Sequence, residues 1–500
     1  MNIAGLFQSP DDRIAAFAKA QVLLYRNDPT LHDYFMQLQL DSMERPRARM
    51  HDLRARSPLS TWVVNRAERA YRSRQIFKTD VLFCPMPYYG RESENRLLVR
   101  SLMGLAQTDA KILCLLLENA PIRAELDAKL KAAGREGQVE FIDPTACSSR
   151  MESRVRTRRV LMRADSAFRN TVSILEPHGL SPELELTSRF EDLARFIEGW
   201  EHLAPNVEFE AVVARCHWHA LCSPVCRTAL QRGKPVITFQ QGVIGHTLDA
   251  PVTATKYVAF GRSSATFLER ANHRFFEAAG MPEPQVDYVP GGSLIDDLKI
   301  MPEQFDRHTV LIVDIPTPQS NFYGVEAQSE ALLDLADRLL AERNSLRQVV
   351  IRPHPFWSNM DFDACHRLAM KYPSRCEISH PAWSLDNDLR RSSAVVGIFS
   401  GVLTVAAACG IPTVFLQTDG GYKTGDLACF EPEQMLMPDA AFRQLSQMMT
   451  DKEAWAHARS VALSNAREYY EGGKNADLDG HFFDRLLHSA PREARTVGAT

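Results

Sequence analysis

Two short stretches carry the residue types that hold and release a phosphate. Residues 348–355 read Gln-Val-Val-Ile-Arg-Pro-His-Pro, an apolar strand that ends on Arg352 and on His354, set between two prolines. Proline fixes its own φ and narrows the choices of the residue before it, so the imidazole is presented on a stiff turn. Such a ring can donate to a leaving phosphate and act as its general acid. Residues 394–410 read Ala-Val-Val-Gly-Ile-Phe-Ser-Gly-Val-Leu-Thr-Val-Ala-Ala-Ala-Cys-Gly: a strand, a tight turn, a short helix and a glycine stop. Ser400 falls at the N-cap of that helix, Gly401 lets a ligand approach the backbone, and Thr404 lies one turn on. The N–H groups of residues 401–403 are expected to face an anion. Each residue also has a plainer alternative. Ser400 then only caps its helix, His354 holds its loop through one backbone hydrogen bond, and Arg352 pairs with a nearby carboxylate.

A long alternation of strands and helices positions these turns. Short apolar runs at 81–84, 111–117, 139–142, 211–214, 236–239, 257–260 and 286–289 predict a first series of strands. A second series is predicted at 310–313, 348–352, 376–379, 394–398 and 413–416, with helices at 326–343, 361–371, 384–391 and 402–409. Continuous apolar runs, rather than alternating ones, predict parallel sheets covered on both faces. Ligands bind such sheets at the carboxyl ends of strands, where Arg352, His354 and Ser400 all fall. The expected organisation is α/β: a basic helical extension over 1–78, a Rossmann-like domain over 79–300, a second over 301–488, and a frayed tail over 489–500. The region between Gly291 and His308 is the expected hinge.

Together these motifs resemble the two-domain GT-B-type transferases of bacterial surface polysaccharides. The nearest groups are the capsule and polysialic-acid transferases that use CMP-activated sugars, and the CDP-glycerol phosphotransferases. The family's His-Pro pair is similar to His354-Pro355, and its serine motif to Ser400 with Thr404. Its Gln-His-Gly is replaced here by Gln240-Gln241-Gly242, with His246 five residues beyond the departure. Its Gly-Ser…Asp segment is similar to Gly292-Ser-Leu-Ile-Asp296. The resemblance covers roughly residues 205–420 and implies a GT-B-like fold, parallel sheets facing a central cleft, with the acceptor on the first domain and a nucleotide-sugar on the second.

The implied activity is transfer of a sugar, favoured as an acidic one carried on CMP, to a glycan, lipid-linked or protein acceptor. Such a sialyltransferase-like reaction needs a neutralised leaving phosphate, a deprotonated acceptor hydroxyl and an oriented sugar. Arg352, His354, Ser400, Gly401, Thr404 and Lys423 are the expected donor-binding residues. Glu92 and Glu94, in the polar loop after the first strand, are the candidate bases; acids that merely favour a helix start are the alternative. Gln240, Gln241, His246 and Asp314 are placed at the cleft. A CDP-glycerol-type phosphotransferase and a UDP-sugar transferase are the neighbouring alternatives. A sugar-nucleotide epimerase, or a non-catalytic glycan-binding subunit, is a different class.

Other motifs are weaker or missing. In Cys216-His-Trp-His-Ala-Leu-Cys-Ser-Pro-Val-Cys226, the residues His219, Cys222 and Cys226 share a helical face, but no paired Cys-x-x-Cys spacing supports zinc. A packed helix with buried thiols is the better account, with His217 following a strand's carboxyl end. The chain has no nucleotide-binding Gly-rich fingerprint, no nucleophile elbow and no His-Glu-x-x-His. It also lacks the Asp-x-Asp used by metal-dependent sugar transferases, so neither metal nor cofactor is expected.

Five hundred residues, 45% hydrophobic and 24% charged, describe a globular chain of more than one core. Ten scattered cysteines, no secretory signal and no spanning run point to the cytoplasm. Ten Lys/Arg lie between Arg45 and Lys78 against Asp52 and Glu68, and a second basic group spans Arg150–Arg163. Segments 45–78 and 150–163 are therefore candidates for peripheral contact with an anionic inner membrane face or an acidic acceptor. Balanced, solvated helix faces are the alternative. Nucleic acid is not expected, because no aromatic platform is interleaved with the arginines.

Overall fold

The computed structural model describes residues 12–27, 76–85, 92–116, 122–147, 188–217, 222–244, 251–295, 298–313, 325–342, 346–353, 362–380, 384–418 and 425–488, with isolated positions between 155 and 174. Helix α1 (Asp12–Asn27) precedes the first half. That half runs β1 (Phe77–Lys78), β2 (Val81–Cys84), α2 (Glu92–Leu105), β3 (Ile112–Leu115), α3 (Ile122–Ala132) and β4 (Val139–Ile142). It continues with α4 (Ser188–Leu203), β5 (Val207–Glu208), β6 (Ala211–Ala214), α5 (Ser223–Gln231), β7 (Val236–Phe239), β8 (Lys256–Ala259), α6 (Arg262–Ala279) and β9 (Asp287–Pro290). The second half holds β10 (Thr309–Val313), α7 (Val325–Ala341), β11 (Gln348–Arg352), α8 (Phe362–Lys371), β12 (Cys376–Ile378), α9 (Leu385–Arg390), β13 (Ala394–Gly397), α10 (Gly401–Ala408), β14 (Thr413–Leu416) and β15 (Met435–Leu436). Helices α11 (Pro438–Thr450), α12 (Lys452–Tyr469) and α13 (Gly480–His488) follow.

Each half is built on one parallel sheet. The first sheet has the order β4-β3-β2-β6-β7-β8-β9 and the second β12-β11-β10-β13-β14-β15. Both orders reverse direction once, between β2 and β6 and between β10 and β13, as in doubly wound nucleotide-binding folds. The register places Phe83 beside Cys114 and Val213, and Ile312 beside Ile351 and Val396. Successive side chains alternate between faces. Val81 and Phe83 therefore join one core while Leu82 and Cys84 join the other, and both faces are covered. That is why these strands read as unbroken apolar runs. The short β1–β5 ladder lies just upstream of β2 and β6.

The chain passes between the halves twice. After β9 it crosses through residues 291–308, and after α12 it returns through 470–479 to α13, which packs on α2 of the first half. Phe482, Phe483 and Leu486 are buried there, with Phe483 6.3 Å from Phe239. The Lys256 ammonium bonds the Leu486 carbonyl in the last turn of α13, where a cation is favoured. The two crossings run side by side: Ser293 N–H donates to Lys474 O, and Ala476 N–H to Ser293 O. Arg100, from α2, grips both through Leu294 O at 3.1 Å and Ala476 O at 2.7 Å. Gly292 sits between them at φ +92°, where a Cβ would meet Lys474 O at 2.6 Å. Only glycine fits that conformation and that gap.

Candidate functional site

The second sheet's reversal lies between the carboxyl ends of β10 and β13, and α10 starts there. Ser400 is its N-cap, with extended backbone (φ −154°, ψ 138°) and Oγ accepting from Val402 N–H. The bond is 3.3 Å long, and Leu403 N–H already donates to Ser400 O. Of the three amides expected to be open, only that of Gly401 is without a partner among the described residues. Gly401 is exposed, and no described atom lies within 4 Å of a Cβ built on it. The helix thus presents one backbone N–H, on a residue with no side chain, at its positive end.

Thr404 does not share that opening. It is fully buried, its hydroxyl donating to Gly401 O and bonding the Tyr470 hydroxyl at 2.8 Å. It ties α10 to the return crossing. Arg352 is likewise committed. Its guanidinium meets the Asp388 carboxylate, which is fully buried and also accepts from Ser379 Oγ and, at 3.0 Å, from Arg391. Arg352 therefore braces the carboxyl end of β11 against α9. The partner lies 36 residues away, so only the structure identifies it.

On the first half, Gln241 Nε2 donates to Arg215 O at 3.0 Å, next to the β2/β6 reversal. Gln240 is fully buried and turned toward the second half. Its Oε1 accepts from Phe260 N–H, and its Nε2 donates to Gly242 O at 2.8 Å and to Asp426 Oδ2 at 3.1 Å. Gln240 follows β7 and Asp426 lies beyond β14, so the carboxyl edges of the two sheets meet here. Nothing in the spacing of Gly425–Phe430 announces Asp426 as a seam residue. Glu92 and Glu94 fall in the first turn of α2, but their side chains lie outside the described residues, as do His354, His246, Asp314 and Lys423.

Of the residues weighed for zinc, His219 lies outside the described ones. Cys222 and Cys226 are fully buried, and Cys222 Sγ lies 3.6 Å from that of Cys84. Burial raises the Cys222 pKa well above that of a free thiol. His217 is buried edge-on to Tyr257, with ring centroids 5.6 Å apart. No group of three or more His, Cys, Asp or Glu among the described residues is arranged to hold a metal ion. A pocket of about 460 Å³ between α11 and α12, lined by Gln447, Asp451 and His457 among others, contains none of the candidate residues.

No protein-family model matches the chain, and no curated protein matches it in sequence. Solved structures do align. HepE from Anabaena in complex with UDP-glucose aligns at TM-score 0.45 and 11% identity, over 82% of this chain and 98% of its own. The UDP-GlcNAc 2-epimerase from Neisseria meningitidis bound to UDP-GlcNAc gives 0.46 and 12%, over 83% and 100%. Acinetobacter baumannii MurG gives 0.40 and 14%, over 82% and 99%. The architecture is defined by the chain's own strand orders: two Rossmann-like domains joined by a double crossing, a GT-B-like arrangement.

Proposed function

We propose that this chain is a nucleotide-sugar-dependent glycosyltransferase. The observation that carries the reading is the Ser400-capped amino end of α10, with Gly401 N–H exposed, at the reversal point of the second sheet. A phosphate is the anion that such a position suits. In this reading the donor's phosphate meets Gly401 N–H and the Ser400 turn, and His354 donates to the leaving oxygen. Glu92 or Glu94 takes the acceptor hydroxyl's proton. The acceptor oxygen bonds the anomeric carbon as the bond from that carbon to the phosphate oxygen breaks, and the nucleotide departs with its electron pair. Lys423 and Asp314, both in the second half of the chain, are proposed to contact the donor's phosphate and sugar. His246, from the first half of the chain, is proposed for the acceptor side.

The favoured donor is a CMP-activated acidic sugar, with UDP-sugar and CDP-glycerol donors as alternatives. No helix among the described residues is long and apolar enough to cross a membrane. Access to a lipid-linked acceptor is proposed to come from basic segments 45–78 and 150–163. Thermal unfolding with CMP, CDP, UDP and GDP tests the reading, because a ligand that binds only the folded chain raises the midpoint. A selective rise with cytidine nucleotides supports it. A rise with UDP alone selects the UDP-sugar alternatives, and turnover of UDP-sugar without acceptor then identifies an epimerase. No rise with any of the four refutes it.

A further inference from the structure

Asp426 holds the seam between the halves from both its main chain and its side chain. It is fully buried in the short helical turn Gly425–Phe430. Its Oδ2 accepts from Gln240 Nε2 at 3.1 Å and Ser264 Oγ at 2.8 Å, both in the first half, and from Tyr469 OH at 2.9 Å at the end of α12. Its carbonyl accepts from Ser263 Oγ at 2.6 Å, and its N–H donates to Ile244 O at 3.3 Å. Ser263 and Ser264 lie in the first turn of α6, so the carboxylate stands near that helix's positive end.

The backbone is shaped for this approach. Gly261, the residue before α6, has no side-chain cap, and a Cβ there would meet Tyr469 O at 2.3 Å. Phe260 packs on Tyr470 with centroids 5.3 Å apart and the rings tilted by 40°, and Tyr470 in turn bonds Thr404 of α10. The seam and the helix proposed to hold phosphate are therefore linked through two consecutive tyrosines.

We propose that Asp426 is a latch that fixes the angle between the two halves, and so acts as a positioning residue for the cleft. The positioning clause rests on the transferase reading; the latch itself does not. A buried carboxylate with several directional donors from both sides has one geometry that satisfies them all, and rotation of either half breaks more than one bond.

The test uses the full chain without nucleotide, comparing wild type, Asp426→Asn and Tyr469→Phe by hydrogen exchange and small-angle scattering. Asp426→Asn is expected to speed exchange roughly tenfold or more over 240–244, 262–266 and 425–430 and to enlarge the radius of gyration. The centres of β2, β3, β10 and β13 keep their protection. Tyr469→Phe, which removes one donor, is expected to give a smaller rise at the same segments, and it guards against an asparagine variant that fails to fold. Unchanged exchange at all three segments overturns the latch, because the carboxylate then does not hold the seam. A uniform rise across both sheets also overturns it, because Asp426 then supports the core. With the donor identified, Tyr469→Phe is expected to lower kcat while changing the donor's KM less than about twofold, since α10 belongs to the second half alone.

Discussion

Replacing Gly401 by alanine should push stability and ligand binding in opposite directions. Gly401 is the first residue of α10, and a Cβ built on it has no described neighbour within 4 Å. The methyl group therefore meets no clash among the described residues, and alanine loses less conformational freedom than glycine on entering a helix. The expected gain is about 0.5 kcal/mol, at the lower end for such replacements because the site is in the first turn. For a domain of this size that raises Tm by roughly 1–2 °C. The same methyl group would stand where a phosphate must come to reach Gly401 N–H. A hydrogen bond to a charged oxygen contributes about 1.5–3 kcal/mol, so affinity for the nucleotide should fall about tenfold or more. Gly401→Asp sharpens the contrast, since a carboxylate favours the helix start and repels phosphate. Thermal unfolding and isothermal titration on one preparation measure both quantities. A stabilised alanine variant with unchanged nucleotide affinity would refute the phosphate assignment.

Other perturbations follow from the same geometry. Gly292→Ala adds a Cβ that meets Lys474 O at 2.6 Å in a left-handed conformation. It should cost about 2 kcal/mol or more in urea unfolding, with no compensating gain. Arg352→Met leaves the buried Asp388 without its shortest cationic contact, and a loss of about 3 kcal/mol is expected in the same assay. Burial, followed by the nearby Asp426, raises the Tyr469 pKa well above its ordinary value, and burial also raises that of Cys222. The unfolded chain gives up these protons first, so the stability they contribute is complete below about pH 7.5 for Cys222 and about pH 9 for Tyr469. It then declines by about 1.4 kcal/mol per group for each pH unit above the unfolded values. Tyr469→Phe should flatten that decline in denaturant titrations between pH 9 and 11, and an unchanged slope would count against the burial of its hydroxyl.

The strands of both sheets were legible because burial on two faces writes them as compact apolar runs. Val81–Cys84, Ala211–Ala214, Val236–Phe239 and Thr413–Leu416 have no polar position that a solvent-facing strand would require, apart from Thr238 and Thr413. The two-residue strands β1, β5 and β15 are too short to carry a pattern and went unread. Ser400 as an N-cap was visible from the serine–glycine step alone. Its open amides were overcounted, because the bond that Leu403 N–H makes to Ser400 O depends on the exact turn. The roles of Thr404, Gln240 and Asp426 could not be read from spacing. Their partners, Tyr470, Asp426 and Ser264, are 66, 186 and 162 residues distant. Such pairings follow from how two finished sheets meet, and no local rule reports them.

The double crossing also bears on how the chain is made. The first half leaves the ribosome with β2, β3 and β7 complete, yet Phe239 still lacks Phe483, which arrives only after the whole second half has been synthesised. Until then an apolar face that buries Phe482, Phe483 and Leu486 stays uncovered, worth about 1.5–3 kcal/mol for each of the three side chains. A fragment that stops near residue 300 should consequently aggregate or recruit a chaperone. One to which residues 471–488 are supplied as a separate peptide should recover solubility, because the missing helix is a piece of the first half that happens to be encoded last.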